Sequence, residues 1–156
     1  MTPTPAVTWR VVPYDDPLLR VLVEEVQEEY VERYGGPDRT PVDPVEFAEP
    51  DGAFLLGLVD GDAVACGAYR RFDERTAEVK RMYVRRAWRR RGIARVLLAE
   101  LEARAAAAGY RRAVLESGAA QPEALALYTS AGWTPIPGYG YYRDSPRNRC
   151  FGKDLA

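Results

Sequence analysis

The chain has no histidine. That absence excludes Ser-His-Asp and Cys-His nucleophilic catalysis and leaves no imidazole for a catalytic zinc. Acid–base chemistry must then come from Glu, Asp, Tyr, Lys, Cys or bound water. Cysteine is scarce: Cys66 and Cys150 have no metal-ligand spacing and make no disulfide framework, so both read as reduced core residues. No apolar run approaches the ~18 residues of a membrane span. The first residues, MTPTPAVTWR, lack the basic-then-apolar pattern of a secretory leader. Repeats and low-complexity segments are missing, as are the P-loop Gly-x-x-x-x-Gly-Lys-Ser/Thr and the three spaced glycines of a dinucleotide fold. The expectation is a cytoplasmic protein with no metal and no membrane partner.

What is present is ordinary bulk with lopsided charge. At 156 residues, 47% hydrophobic and 29% charged, the chain suits one soluble domain spanning 1–156 with a real core. Residues 1–79 hold 17 acidic and 7 basic side chains, a balance of -10; residues 80–156 hold 6 and 15, a balance of +9. Two readings stand. The second half could meet an anionic partner and the first a cationic one, or the halves attract each other across the fold.

Periodicity supplies the elements. WRVV at 9–12 reads as a strand. Asp16-Pro17 reads as an N-cap and first-turn proline for a helix carrying Leu18, Leu19, Leu22, Val23, Val26 and Tyr30, stopped at Gly35-Gly36-Pro37. A loop or short helix covers 37–52. AFLLGLVD and AVACGAYRRF form a hairpin about a turn at Gly61-Asp62, and 77–84 is the next strand. A helix opens at Gly92, buries Ala94, Leu97, Leu98, Leu101 and Ala105, and ends at Gly109. AVLES (113–117) is a strand, and Gln121-Pro122-Glu123 starts a helix that Gly132 ends. Aromatic pieces from Trp133 to Tyr142 pair with CFGKDL as closing strands. This order predicts an α/β sheet, mostly antiparallel, with one parallel crossover unit over 77–117.

The stretch VKRMYVRRAWRRRGIAR puts five arginines, Arg85, Arg86, Arg89, Arg90 and Arg91, around Trp88 where a strand hands over to a helix, with Arg95 in the helix's first turn. A helix N-terminus offers unpaired N–H groups and the positive dipole end, which suit phosphate. Gly92 lets the backbone approach closely, Ala94 is small, and arginine adds bidentate contacts. By itself the pattern also fits an exposed basic surface or non-specific nucleic-acid binding. With one tryptophan in the cluster and an overall pI near 5.6, no nucleic-acid partner is expected.

Arg89-x-x-Gly92-x-Ala94 resembles the acyl-CoA signature Gln/Arg-x-x-Gly-x-Gly/Ala of the Gcn5-related N-acetyltransferases. Downstream, Ala124-x-x-Leu127-Tyr128-x-x-x-Gly132-Trp133 resembles that family's A-x-x-L-Y-x-x-x-G-aromatic element, in the expected order and separated by the expected strand. The resemblance covers nearly the whole chain. It implies a mixed central sheet, mostly antiparallel with a parallel splayed strand pair, flanked by helices. It also implies acetyl-CoA as co-substrate: Met82, Tyr83 and Val84 along its pantetheine arm, Arg89, Arg90, Arg91, Gly92, Ile93, Ala94 and Arg95 at its pyrophosphate, and Gln121 where many members carry Asn.

Further roles follow from the same resemblance. A backbone N–H of Met82 or Tyr83 would polarise the thioester, and Tyr128 would donate to the departing sulfur. Glu78, eleven residues before Arg89 as in the histone-modifying branch, would be the base, its pKa raised by burial. Read from the residues themselves, Glu116 is the second choice, as a contact for the substrate ammonium, and Tyr139, Tyr141 and Tyr142 of the aromatic run 138–150 either line the acceptor pocket or are ordinary half-buried strand residues. The expected partner is a small primary amine, cationic at neutral pH. The alternatives are a protein amine or a non-catalytic acyl-CoA-binding module, the latter needing neither Tyr128 nor Glu78. Homodimers are common in that family, and no residue here specifies one.

Overall fold

The computed structural model describes residues 3–155; the ends of the expected 1–156 domain (1, 2 and 156) lie outside it. Twelve elements follow in order: β1 (Thr8–Val12), α1 (Pro17–Tyr34), a 3-10 turn (Pro44–Phe47), β2 (Ala53–Val59), β3 (Asp62–Arg71), β4 (Thr76–Val84), a 3-10 turn (Arg86–Trp88), α2 (Ile93–Ala107), β5 (Arg112–Gly118), α3 (Pro122–Ser130), β6 (Thr134–Ile136) and β7 (Asn148–Asp154). The strands form one seven-stranded sheet ordered β1-β2-β3-β4-β5-β7-β6. Only β4 and β5 run parallel, joined through α2. This is the mixed, mostly antiparallel sheet expected.

Local chemistry sets the helix ends. The Asp16 carboxylate accepts from the N–H groups of Leu18 and Leu19, and Pro17 supplies a first-turn φ without wasting a donor. Gly35 closes α1 in the left-handed region at φ 81°. Leu19, Leu22, Val23 and Val26 bury the inner stripe of α1 against Phe54, Leu56 and Leu58 of β2. On the opposite face, Leu97, Leu98, Leu101 and Ala105 of α2 cover β3, β4 and β5. A Cβ at Gly67 would stand 3.0 Å from Leu101 and 3.2 Å from Leu97, so β3 keeps a glycine where α2 sits lowest on the sheet.

Several expectations shift. The hairpin turn is Asp60-Gly61, both at positive φ, because Asp62 already belongs to β3. In α2 the first buried residue is Ile93, while Ala94 is half-buried; the helix stops at Ala107, two residues before Gly109. Of the aromatic run after Trp133, only Thr134–Ile136 pairs as a strand; Tyr139, Tyr141 and Tyr142 lie in a non-strand segment leading to β7. Pro137, Gly138 and Gly140 interrupt the alternation a strand needs there.

Two irregularities in β4 make room for a site. Its pairing with β5 lasts three residue pairs, Thr76↔Arg112, Ala77↔Ala113 and Glu78↔Val114, after which the strands part. A bulge against β3 interrupts the register between Lys80 and Tyr83, with Arg81 at φ 59°. The extra residue leaves Lys80 and Arg81, adjacent in sequence, both reaching the Asp38 carboxylate.

Candidate active site

A cavity of about 430 Å³ opens where β4 and β5 separate. Val79–Met82 form one wall, Leu115–Gly118 the other, and the end of α1 contributes Tyr30 and Tyr34. The 36–39 loop, the segment around Tyr142–Asn148, Gln121 and Tyr128 complete it.

Tyr128 lies on α3 with its ring against Trp133 and Phe151, at centroid separations of 6.4 and 5.6 Å. Burial pushes its pKa up to about 12. Among the described residues no protein group hydrogen-bonds its hydroxyl, which leaves a neutral O–H donor in the cavity wall. Gln121 caps α3, and its Oε1 accepts from the Tyr34 hydroxyl at 3.0 Å. The Tyr34 ring lies against Gly118, where a Cβ would overlap it.

The two candidate carboxylates have different surroundings. Glu78 is 4% exposed, does not line the cavity, and accepts from Arg70 Nε at 2.8 Å; Arg70 also reaches Glu46 and the Pro41 carbonyl. Glu116 does line the cavity. Its Oε1 is 3.8 Å from Lys80 Nζ, and its Oε2 is buried without a partner. Burial raises the Glu116 pKa; Lys80 opposes that, while Glu78 and Asp38 add to it. Asp38 is also pushed up by burial, but the Lys80 and Arg81 cations more than offset this and hold it below the usual range.

The three C-terminal tyrosines separate. Tyr142 lines the cavity and accepts from the Arg39 N–H at 2.7 Å. Tyr139 stacks edge-on against Phe72 outside the cavity lining, its buried hydroxyl unpartnered. Burial, then the nearby Glu78 and Glu116 carboxylates, drive the Tyr139 pKa upward. Tyr141 is 58% exposed and away from the lining.

At the other end of β4 the arginines divide by partner. Arg89 donates to the Val84 carbonyl, pairs with Glu29 at 2.8 Å and lies over the Tyr83 ring. Arg85 pairs with Glu25 and Arg86 with Glu32. The Tyr83 hydroxyl also donates to Glu25, and burial with that contact raises its pKa to about 12. Here the charge asymmetry resolves into pairing between halves of the chain. Arg90, Arg91 and Arg95 have no carboxylate partner among the described residues; Arg91 lies over Trp88 and Arg95 donates to Ser130. They flank the start of α2, whose N-cap Gly92 supplies no side-chain cap. A Cβ on Gly92, at φ 82°, would meet Thr4 Oγ1 at 2.6 Å, so the N-terminal segment covers this glycine.

Residues 23–133 match the profile of the acetyltransferase (GNAT) family. This chain belongs to the GNAT acetyltransferase family. It is an N-acetyltransferase of a family that uses acetyl-CoA. It is 33% identical over 135 residues, 86% of its length and 88% of the relative's, to an IAA acetyltransferase of Azospirillum brasilense. A candidate acyl-CoA N-acyltransferase of Klebsiella pneumoniae superposes with TM-score 0.81 at 26% identity, covering 96% of this chain and 98% of that one. A GNAT acetyltransferase of Elizabethkingia anophelis with acetyl-CoA bound shares the fold at TM-score 0.69 and 16% identity, covering 96% and 98%.

Sequence reasoning missed Tyr30, Tyr34, Asp38, Lys80 and Arg81 as cavity residues of this acetyltransferase. One signal was available: Lys80 and Arg81 are consecutive cations in a strand, so one must point to each face, and a strand covered on both faces buries a charge only where it finds a partner. Among the described residues, no cluster of three or more His, Cys, Asp or Glu could hold a metal.

Proposed function

We propose that this GNAT protein transfers the acetyl group of acetyl-CoA to a primary amine of a small molecule held in the β4–β5 cavity. The observation that carries this is the opening of the parallel pair beside Tyr128; it is joined by arginines without a carboxylate partner at the start of α2, where Thr4 lies over Gly92. The residues suit the co-substrate. Beyond Glu78 the β5-facing edge of β4 has no strand partner, which fits an added extended chain along Met82, Tyr83 and Val84. The first N–H groups of α2 with Arg90, Arg91 and Arg95 fit a pyrophosphate. Bound acetyl-CoA would supply an activated acetyl thioester.

The chain's own residues then do four things. The N–H of Met82 or Tyr83 donates to the carbonyl oxygen as it gains charge. Glu116 takes the proton that the acceptor amine must lose; its unpartnered Oε2 and raised pKa support that assignment over Glu78, which Arg70 neutralises. Tyr128 stays protonated and donates a hydrogen bond to the leaving sulfur. A phenol near 12 does not hand its proton outright to a thiolate of conjugate pKa ~8.5. Tyr34 and Gln121 hold the wall between the two substrates.

Titration calorimetry with acetyl-CoA, then thiol release from acetyl-CoA across a set of primary amines, tests the reading. Saturable binding and amine-dependent release are expected. Failure to bind acetyl-CoA would refute it.

A further inference from the structure

Six charged side chains line the cavity: Asp38, Arg39, Lys80, Arg81, Glu116 and Arg147. Four are cations and two are carboxylates, so the lining carries a surplus of two positive charges even with both carboxylates ionised. The surplus sits at the mouth. Lys80 and Arg81 are buried and share Asp38, and Lys80 also reaches Glu116. Arg39 and Arg147 are exposed, and neither has a carboxylate partner among the described residues. Both line the cavity on its exposed side, next to two different tyrosines of its wall. The Arg39 N–H donates to Tyr142, and the Arg147 guanidinium lies 5.9 Å from the centre of the Tyr34 ring. Glu116 also lines the cavity, its side chain 9% exposed and its buried Oε2 without a partner. The wall between offers Tyr30, Tyr34, Pro37 and Leu115.

Resting on the acetyltransfer reading above, we propose that the acceptor is a zwitterion: a primary amine that also carries a carboxylate on an apolar body. Its amine lies at Glu116 and its carboxylate at Arg39 and Arg147. A guanidinium matches a carboxylate with two parallel N–H donors, and this cavity is lined by two that lack a carboxylate partner among the described residues. A purely cationic amine would meet only repulsion there. The phosphates of the co-substrate do not account for Arg39 and Arg147, because those phosphates suit the α2 end with Arg90, Arg91 and Arg95, and the acetyl end is uncharged. Acetylation removes the positive end of the acceptor, so the product is an anion that Glu116 repels.

The test follows thiol release from acetyl-CoA with matched triplets: α- and ω-amino acids, their carboxamides, and the corresponding amines without the carboxylate. The carboxylate member of the best triplet is expected to exceed its partners in kcat/KM by roughly tenfold or more. In Arg39→Gln/Arg147→Gln the KM for that acceptor should rise by about tenfold and the preference should shrink, with the KM for acetyl-CoA within about twofold. Equal or better turnover of the carboxamides or plain amines overturns this proposal alone. So does a double variant whose acetyl-CoA KM rises instead, since the arginines would then serve the co-substrate. Absence of thiol release with every amine overturns the acetyltransfer reading and this proposal together.

Discussion

Tyr128 and Glu116 carry the sharpest consequences at the scale of single residues. Tyr128→Phe deletes one oxygen and keeps the packing on Trp133 and Phe151. Turnover is expected to fall roughly 10²-fold with acetyl-CoA affinity little changed, measured by steady-state kinetics and calorimetry. For Glu116, burial raises the pKa, so its basic form grows in as pH rises through that shifted value. Glu116→Gln should erase this limb of the pH–rate profile, whereas Glu78→Gln should leave it in place. The same shift has an opposite sign for stability. Between the unfolded and folded pKa values the native state binds the extra proton, so ionising Glu116 costs stability as pH rises through the folded value. Glu116→Gln should therefore raise the melting temperature at pH 7 and change it less at pH 4. Tyr128 is legible in the sequence, because an aromatic inside a spaced motif is a local pattern. The ground for proposing Glu116 rather than Glu78 as the base is not. It rests on Arg70, eight residues from Glu78 in sequence and brought onto it by the β3–β4 register.

At the scale of elements, helix ends and strand order can be read from periodicity and capping residues, since these are set within a few neighbours. The bulge in β4 cannot. Nothing in VKRMYV says that Arg81 takes a positive φ; the register with β3 imposes it. The contact of Tyr34, the last residue of α1, with β5 is equally hidden, although it places Tyr34 in the cavity. It depends on Gly118: a Cβ there would overlap the Tyr34 hydroxyl and ring. Gly118→Ala is expected to displace Tyr34, break its hydrogen bond to Gln121 and cost roughly 1–3 kcal/mol of stability through overpacking. Denaturant unfolding should report the cost, and a raised KM for acetyl-CoA should report the loosened wall.

For the molecule as a whole, the division of charge between the chain halves acts largely inward. Glu25, Glu29 and Glu32 of α1 hold Arg85, Arg86 and Arg89 in the segment that joins β4 to α2. Exposed pairs contribute little singly, yet this row should be felt at low ionic strength. Raising NaCl from 0.01 to 0.2 M shortens the screening length well below its initial ~30 Å. The melting temperature is expected to fall over that range, and to fall less in Glu25→Gln/Glu29→Gln/Glu32→Gln. Thermal melts in both salts decide it. The three-pair junction between β4 and β5 reaches further. It makes the sheet two blades, β1–β4 and β5-β7-β6, meeting along a short seam with α2 laid across the back. A chain of amides and carbonyls lying in the open part of that seam would work as a clasp. At a free concentration a hundredfold above its dissociation constant, such a clasp adds about 2.7 kcal/mol to the native state. The protein's persistence in a cell would then track the supply of its own acetyl donor.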